Sequence, residues 1–183
     1  MDAMMQGVGI GFDTKGAGKR TIKAPKQSMS KEFVIPDSRE GWVESLGMLI
    51  DAYFKGTHMP SFDYSVIRPY GIPIKGFGGV SSGPKPLKDL HNNITKLLNK
   101  RVDSKITSVD ITDIMNMIAC CVVAGNIRRS AEIALGNHND TEWCQMKDYA
   151  LHPEECMSHR WSSNNSIIGE VGKTDYTKVA KNI

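Results

Sequence analysis

The sequence predicts an α/β fold, in which short strands alternate with amphipathic helices. Three long segments, at about residues 39–55, 84–98 and 107–122, carry apolar residues three and four positions apart. This spacing is the period of a helix that packs on one side. Short apolar runs bounded by glycine, proline or asparagine stand around these segments, as is typical of strands. Alternation of the two kinds of element favours a layered α/β architecture.

The amino-terminal part begins with a predicted strand at residues 7–12, where glycines alternate with apolar residues. Residues 13–31 are rich in glycine, lysine and serine and predict a long surface loop. The first long helix then follows at about residues 39–55, and either Asp37 or Ser38 can cap it.

The middle of the chain combines short strands, a loop and a helix pair. Residues 33–35 form a short apolar run, and residues 62–66 alternate apolar and polar side chains like a strand. Residues 69–84 contain three prolines and five glycines and predict an irregular loop. The second helix starts at Pro84 or Pro86, and Thr107 or Ser108 caps the third. A short polar connection indicates that these two helices are antiparallel.

The carboxy-terminal part is expected to contain a strand at residues 131–135 and a short helix at residues 141–149. A loop with Pro153 and a last strand at residues 160–168 complete the chain. No internal repeat or low-complexity block is visible.

Composition excludes several functional classes. The chain has 183 residues, of which 40% are hydrophobic and 23% charged, as in an ordinary soluble domain. A net charge of +3 without a basic stripe argues against a nucleic-acid-binding protein. We find neither a run of about 18 apolar residues nor a signal peptide, so no membrane association and a cytoplasmic location are expected.

The four cysteines predict no metal site and no disulfide framework. Cys120, Cys121, Cys144 and Cys156 form no CxxC pair, and in a reducing compartment free thiols are expected. Two histidines, at positions 152 and 159, lie near the last two cysteines, but their spacing matches no common zinc site.

The most informative segment is residues 122–136, where two arginines follow a Gly-Asn pair between two apolar elements. Adjacent guanidinium groups need anionic or carbonyl partners unless they are solvated. A loop that presents arginine to a phosphate or a base edge fits this pattern, and a solvated basic turn is the alternative.

Further blocks occur at residues 67–79, 81–84, 107–111 and 159–166. In this order, from about Gln6 to Ile183, the chain resembles the catalytic subunit of ribonucleotide reductases. It is most similar to the adenosylcobalamin-dependent (class II) ribonucleoside-triphosphate reductases. The resemblance implies part of a ten-stranded α/β barrel built from two half-barrels, here incomplete. Residues 1–183 would form a single partial domain, an internal piece of the catalytic barrel with both specificity loops, at about 99–105 and 125–130.

The resemblance also implies an activity. Reductases of this family convert ribonucleoside triphosphates to 2′-deoxyribonucleotides for DNA synthesis, by radical chemistry that starts from adenosylcobalamin and a cysteine thiyl radical. The implied partners are the ribonucleotide substrate, a deoxynucleoside triphosphate effector, thioredoxin or a similar dithiol reductant, and the remaining portions of the reductase. Triphosphate substrates are favoured over diphosphates, and the oligomeric state stays open.

Effector-binding residues are expected in two places. Arg68 and Lys75 lie in a glycine-rich loop that resembles the region holding the effector triphosphate, and the alternative is a solvated cation pair. The first specificity loop could reach the base, sugar or phosphates, unless it is an ordinary polar turn. Its candidate contacts are Lys100, Arg101, Asp103 and Lys105.

Substrate-binding residues are expected in the second specificity loop and on the last strand. The loop residues are Gly125, Asn126, Arg128, Arg129 and Ser130, and Arg128 aligns best with the family arginine that touches the substrate base. Alternate residues of the last strand share one face, which the resemblance assigns to the barrel interior and which could instead be a polar outer face. These residues are Ser162, Asn164 and Ser166.

No catalytic residue is assigned. The Asn-Pro-Cys-Gly-Glu loop of the family and its carboxy-terminal CxxC do not occur in this sequence. We therefore expect a reductase piece that binds nucleotide but does not turn over alone, from either a split gene or a truncated sequence. The alternative is a nucleotide-binding module without catalytic activity, and the motifs encoded by neighbouring reading frames would distinguish the two.

Overall fold

The computed structural model of the chain describes residues 1–27, 32–74, 78–124 and 131–180. Its strands are β1 (Ile10–Asp13), β2 (Phe33–Val34), β3 (Phe62–Asp63), β4 (Glu132–Asn137) and β5 (Ser163–Ile168). Its helices are α1 (Asp2–Met5), α2 (Arg39–Lys55), α3 (Lys85–Asn99), α4 (Ser108–Val123), α5 (Thr141–Gln145), α6 (Pro153–Ser158) and α7 (Tyr176–Ala180). A 3₁₀ turn occupies Arg160–Ser162. No helix among these is long and apolar enough to cross a membrane.

The central sheet is parallel, with the order β1-β4-β5. Phe12 pairs with Ala134, which in turn pairs with Asn165, so these three residues form one row. Strands β2 and β3 form a second parallel pair. The predicted α/β class is thus confirmed as a mixed α/β structure with parallel sheets.

Local sequence signals set the ends of the long helices. The Ser38 hydroxyl accepts a hydrogen bond from the Gly41 amide (3.0 Å), and α2 ends at Gly56 with a left-handed φ of 69°. At α4, the Thr107 hydroxyl accepts from the Asp110 amide (3.1 Å), while the Asp110 carboxylate accepts from the Thr107 amide (2.9 Å). This reciprocal capping box satisfies two donors at the helix end.

Several predicted boundaries were wrong. Residues 153–158, expected as a loop, form α6, because proline is well suited to the first turn of a helix. The last strand begins at Ser163, since residues 160–162 form the 3₁₀ turn. Strand β3 ends at Asp63, whose carboxylate accepts a hydrogen bond from the Ser65 amide (2.8 Å) and turns the chain. Helices α1 and α7 were not predicted.

Two apolar clusters hold the elements together. The larger one joins α2, α3 and α4 through buried residues that include Leu46, Leu49, Leu87, Leu98 and Ile118. The smaller one lies beneath the sheet, where Ala134 packs with Trp143 and Met146. The Trp143 ring lies so close to Gly136 that an added Cβ would overlap it, so this position requires glycine.

The two faces of the sheet differ. The row of Phe12, Ala134 and Asn165 faces the Trp143 cluster and α4. The opposite face carries Ile133 and Asn164, which pair with each other and are both exposed. The described residues therefore leave this second face open.

Candidate functional site

A groove runs along the antiparallel helix pair α3–α4, and we call it the helix-pair groove. One wall is a single face of α3 with a side chain at every turn, and the other is a single face of α4. The 3₁₀ turn and the end of α6 close it. The wall residues are Lys85, Asp89, Asn93, Lys96 and Lys100 from α3 and its end, and Asp113, Met117, Cys120 and Ala124 from α4 and its end.

Arg101 lies at one end of the helix-pair groove and is held by a buried carboxylate. Its Nε lies 3.0 Å from Oδ1 and 2.9 Å from Oδ2 of Asp110, which is only 4% exposed. The same carboxylate belongs to the capping box of α4. The two terminal nitrogens of Arg101 have no partner among the described residues, so they remain available to a ligand.

The four predicted residues of the first specificity loop separate in the structure. Lys100 and Arg101 line the groove. The segment that follows turns away and pairs with residues 21–22: Asp103 donates its amide to the Ile22 carbonyl (2.8 Å), and Lys105 bridges to Thr21. Asp103 and Lys105 are therefore not brought to the groove with the other two.

A buried ion pair forms the deep wall of the groove. Arg160 donates from Nε and Nη2 to the two carboxylate oxygens of Asp113, both at 2.8 Å, and from Nη1 to the Met146 carbonyl (2.6 Å). His159 Nε2 lies 3.0 Å from the same carboxylate. Burial alone would raise the pKa of Asp113, but the bonds from Arg160 and His159 outweigh it and hold the pKa below its ordinary value.

Arg68 lines a separate pocket at the amino-terminal end of α2. Its Nε donates to the Asp37 carboxylate at 2.6 Å. Ser38, Ser81 and the α4 residue Val122 line the same pocket. The pocket thus adjoins the carboxyl end of α4, while Arg101 adjoins the amino end. Lys75, the predicted partner of Arg68, lies outside the described residues.

The residues predicted to line a substrate cavity do not all share a face. Asn164 and Ser166 lie on β5, and the register places them beside Ile133 and Leu135 on the open face of the sheet. Ser162 lies in the 3₁₀ turn instead, and its hydroxyl donates to the Asn116 carbonyl of α4 at 3.2 Å. The prediction that Ser162 shares their face was therefore wrong, because the strand begins only at Ser163.

Comparisons with known proteins now bear on the identity of the chain. Residues 13–98 match the model of the insertion domain of B12-dependent ribonucleotide reductase. Over its whole length the chain is 48% identical to a probable adenosylcobalamin-dependent ribonucleoside-triphosphate reductase of Dictyostelium discoideum and 48% identical to the reductase of that name from Euglena gracilis. A crystal structure of a B12-dependent (class II) ribonucleotide reductase matches 91% of the chain with a TM-score of 0.77 and 33% identity. The chain is thus similar over its whole length to class II ribonucleotide reductases. It spans about a quarter of the length of these relatives, 26% and 25% of the two sequences and 27% of the solved chain.

The helix-pair groove lies at the boundary of the region that matches the family model. The insertion-domain model of the class II reductases covers β2, α2, β3 and nearly all of α3, but ends before α4. One wall of the groove therefore lies within the matched region and the other lies outside it. Clefts between structural units are common sites for small ligands.

The predicted second specificity loop lies outside the described residues. This applies to Gly125, Asn126, Arg128, Arg129 and Ser130. Its flanks are described: α4 ends at Val123, and β4 begins at Glu132. Residues 125–130 thus connect the carboxyl end of α4 to the amino end of the central strand.

The sequence analysis did not predict the buried polar groups beneath the sheet. Glu132 is 4% exposed, and neither of its carboxylate oxygens has a hydrogen-bond partner among the described residues. The side-chain amide of Asn116, on α4, is also buried and also lacks a partner among them. Burial raises the pKa of Glu132 to about 7. The one available signal was a lone glutamate within an apolar strand.

The described cysteines and histidines form neither a disulfide nor a metal site. None of the four cysteines forms a disulfide among the described residues. In the part of the chain that the structure describes, no group of three or more His, Cys, Asp or Glu side chains is arranged to hold a metal ion.

Proposed function

We propose that this chain is a segment of a class II ribonucleotide reductase that converts ribonucleoside triphosphates to 2′-deoxyribonucleotides in the cytoplasm. The 48% identity over the whole chain to proteins named adenosylcobalamin-dependent ribonucleoside-triphosphate reductase carries this proposal. The proposed partners are the substrate, a deoxynucleoside triphosphate effector, thioredoxin or another dithiol reductant, and the remaining portions of the reductase.

The three parallel strands are proposed to form part of the ten-stranded barrel, so that residues 1–183 are an internal piece of the catalytic domain. Helices cover one face of the sheet, and the other face is open, as a strand that lines a barrel interior requires. Asn164 and Ser166 would then line the substrate cavity. Residues 125–130 would stand at the amino end of β4, where Arg128 would touch the substrate base.

Adenosylcobalamin would supply the radical that starts the reaction. The residues described do not form a fitting site for it. A crevice of about 690 Å³ at the carboxyl ends of β1, β4 and β5 has the size of a small-ligand pocket and carries the exposed charges of Lys15 and Glu170. Most of the residues that line it are polar or charged, so we assign no residue of this chain to the cofactor.

The effector is proposed to bind along α4. Arg101 contacts α4 through Asp110, and the Arg68 pocket contacts Val122, twelve residues further on. At 1.5 Å per residue these contacts are about 18 Å apart, so a single phosphate group cannot meet both arginines. We propose that Lys100 and Arg101 meet one end of the nucleotide and that Arg68, with Lys75, serves the other end.

The test of the proposed function is reconstitution. The chain is combined with the polypeptides that supply the missing cysteine motifs, and CTP reduction is measured with adenosylcobalamin and a dithiol. Deoxynucleotide formation that requires every component is the expected result. Saturable binding of deoxynucleotides without any turnover would instead favour a nucleotide-binding module.

A variant pair tests the second specificity loop in the same assay. Arg128→Ala is expected to reduce the effect of the effector on the choice of substrate base, because the loop would lose its contact with that base. Arg20→Ala removes an arginine charge at an exposed position outside the loop and serves as the control. Unchanged selectivity in Arg128→Ala would contradict the assignment.

A further inference from the structure

We propose that Glu132 and Lys147 form a proton-operated latch on the covered face of the sheet. While the Glu132 carboxyl group holds a proton, the Lys147 ammonium group binds the main-chain carbonyl of Ser163. When that proton leaves to solvent, the ammonium group moves to the newly charged carboxylate. The latch is independent of the proposed function.

Glu132 lies at the start of β4, on the face that the helices cover. Alternate residues of a strand share a face, so its side chain points the same way as that of Ala134, which packs against Trp143. Its register partners, Ile10 on β1 and Ser163 on β5, are uncharged. The residue is 4% exposed, and neither carboxylate oxygen has a hydrogen-bond partner among the described residues. A charged carboxylate without partners is costly to bury, so the neutral acid is favoured in this arrangement.

Lys147 supplies the positive charge that the latch moves. Its ammonium group donates a hydrogen bond to the Ser163 carbonyl, and Ser163 is the residue that pairs with Glu132 in the register of the sheet. Burial lowers the pKa of the half-buried Lys147, and a negative charge on Glu132 opposes this change. A carboxylate is a stronger acceptor for an ammonium group than a neutral carbonyl is. The ammonium group is therefore expected to leave Ser163 once Glu132 is charged.

The proton on Glu132 is exchanged near neutral pH. Burial raises the pKa of Glu132 to about 7, although the positive charges of the Met1 amino group and of Lys147 act in the opposite direction. Below this pH the acid is mostly protonated, and the ammonium group stays on Ser163. Above it the acid is mostly ionised, and the ammonium group is drawn to the carboxylate.

Three other titratable groups of the described residues face the two members of the latch. The thiol of Cys120, on α4, has a raised pKa because of burial, and a charge on Glu132 adds to this effect. The thiol of Cys156, on α6, faces Lys147, and burial raises its pKa as well. Both thiols are therefore neutral near pH 7. Burial lowers the pKa of the Met1 amino group, so this group is the competitor that an experiment must control.

The latch determines which strand holds the segment after α5. Lys147 belongs to this segment, and the preceding residue, Met146, accepts a hydrogen bond from Arg160 through its carbonyl (2.6 Å). Ser163 begins β5, whereas Glu132 begins β4. Ionisation of Glu132 therefore moves the anchor of the segment from β5 to β4, while the bond to Arg160 stays in place.

Carbon-13 NMR of the chain between about pH 5 and pH 9 tests the latch. The carboxyl carbon of Glu132 and the main-chain carbonyl carbon of Ser163 are expected to titrate with one shared midpoint near pH 7. In Lys147→Met the Glu132 midpoint should rise by about one pH unit, because a nearby positive charge is lost, and the Ser163 signal should no longer titrate. Lys55→Met is the control, since this lysine pairs with Asp51 on the surface of α2, and both midpoints should stay unchanged.

Glu132→Gln separates the latch from other causes, because glutamine keeps the shape of the protonated acid and cannot ionise. In this variant the Ser163 signal should lose its titration near pH 7, and a remaining titration would overturn the proposal. Acetylation of the amino terminus removes the charge of Met1 and should leave the Glu132 and Ser163 midpoints shared. Loss of the Ser163 titration on acetylation would assign the effect to Met1 and overturn the latch. A wild-type Glu132 midpoint below about pH 5 would also overturn it, since the carboxylate would then be charged throughout.

Discussion

Arg160→Met is expected to destabilise the fold strongly, because it leaves the Asp113 carboxylate buried without its main partner. Arg160 is 5% exposed and makes three hydrogen bonds, two of them to Asp113. Removing one member of a buried ion pair costs about 3–5 kcal/mol. For a chain of this size, each kcal/mol lowers the melting temperature by about 2–4 °C, so a decrease of roughly 6–20 °C is expected. Urea and thermal unfolding, followed by circular dichroism, measure both quantities.

Two further variants test whether the unpaired buried charge causes this loss of stability. Arg39→Met makes the same replacement at an exposed ion pair and should leave the unfolding midpoint nearly unchanged. Asp113→Asn/Arg160→Met removes the orphaned charge and should be more stable than Arg160→Met alone. If the double variant were no more stable than the single one, lost packing around Met146 rather than a buried charge would explain the effect. Equal midpoints for Arg160→Met and Arg39→Met would refute the reasoning entirely.

Three further predictions concern other buried positions. Gly136→Ala should destabilise by about 1–3 kcal/mol, because its Cβ overlaps Trp143, whereas Gly47→Ala, in an open position of α2, should be neutral or stabilising in the same urea titration. Burial lowers the pKa of His91 from 6.5 to about 4, so the contribution of this residue to the free energy of unfolding is complete above pH 6.5 and is lost as the pH falls toward 4. His91→Gln should therefore make the free energy of unfolding less dependent on pH in this range. Burial raises the pKa of Glu132 from 4.5 to about 7, so the contribution of this residue to the free energy of unfolding is complete below pH 4.5 and is lost as the pH rises through 7. Glu132→Gln should therefore gain stability relative to the wild type at pH 8, and a constant difference between pH 5 and pH 8 would contradict this.

The parts of the fold that depend on neighbouring residues could be predicted from the sequence. Ser38 and Thr107 were named as possible caps, and the structure selects both, because a capping side chain acts on amides two or three residues away. The start of β5 was placed too early, since the 3₁₀ turn before it depends on Arg160 bonding to α4. A contact over 47 residues leaves no periodic signal in the sequence.

The candidate site was likewise predictable from the sequence only in part. The cations of the proposed first specificity loop were predicted from composition and resemblance, but the sequence did not predict their partners. Arg101 and Asp110 are nine residues apart, across the turn between two helices, and only the packing of α3 on α4 brings them together. The hydrogen bond from the Asp103 amide to Ile22 turns Asp103 away from Arg101, although only one residue lies between the two in sequence. Which cations remain free for a ligand is therefore a property of the tertiary structure.

Helix α4 connects the elements of the proposed allosteric site. Its amino end holds Arg101 through Asp110, and its carboxyl end leads directly into residues 125–130. Two buried contacts fix the helix between these ends: Thr112 accepts a hydrogen bond from Trp143 Nε1 (2.9 Å), and Asp113 binds Arg160. A helix anchored in this way transmits a displacement as a rigid element rather than absorbing it in side-chain motion. A ligand that contacts α4 would bias residues 125–130 only if it binds one arrangement of that segment more tightly than another, because a ligand with equal affinity for both shifts no equilibrium.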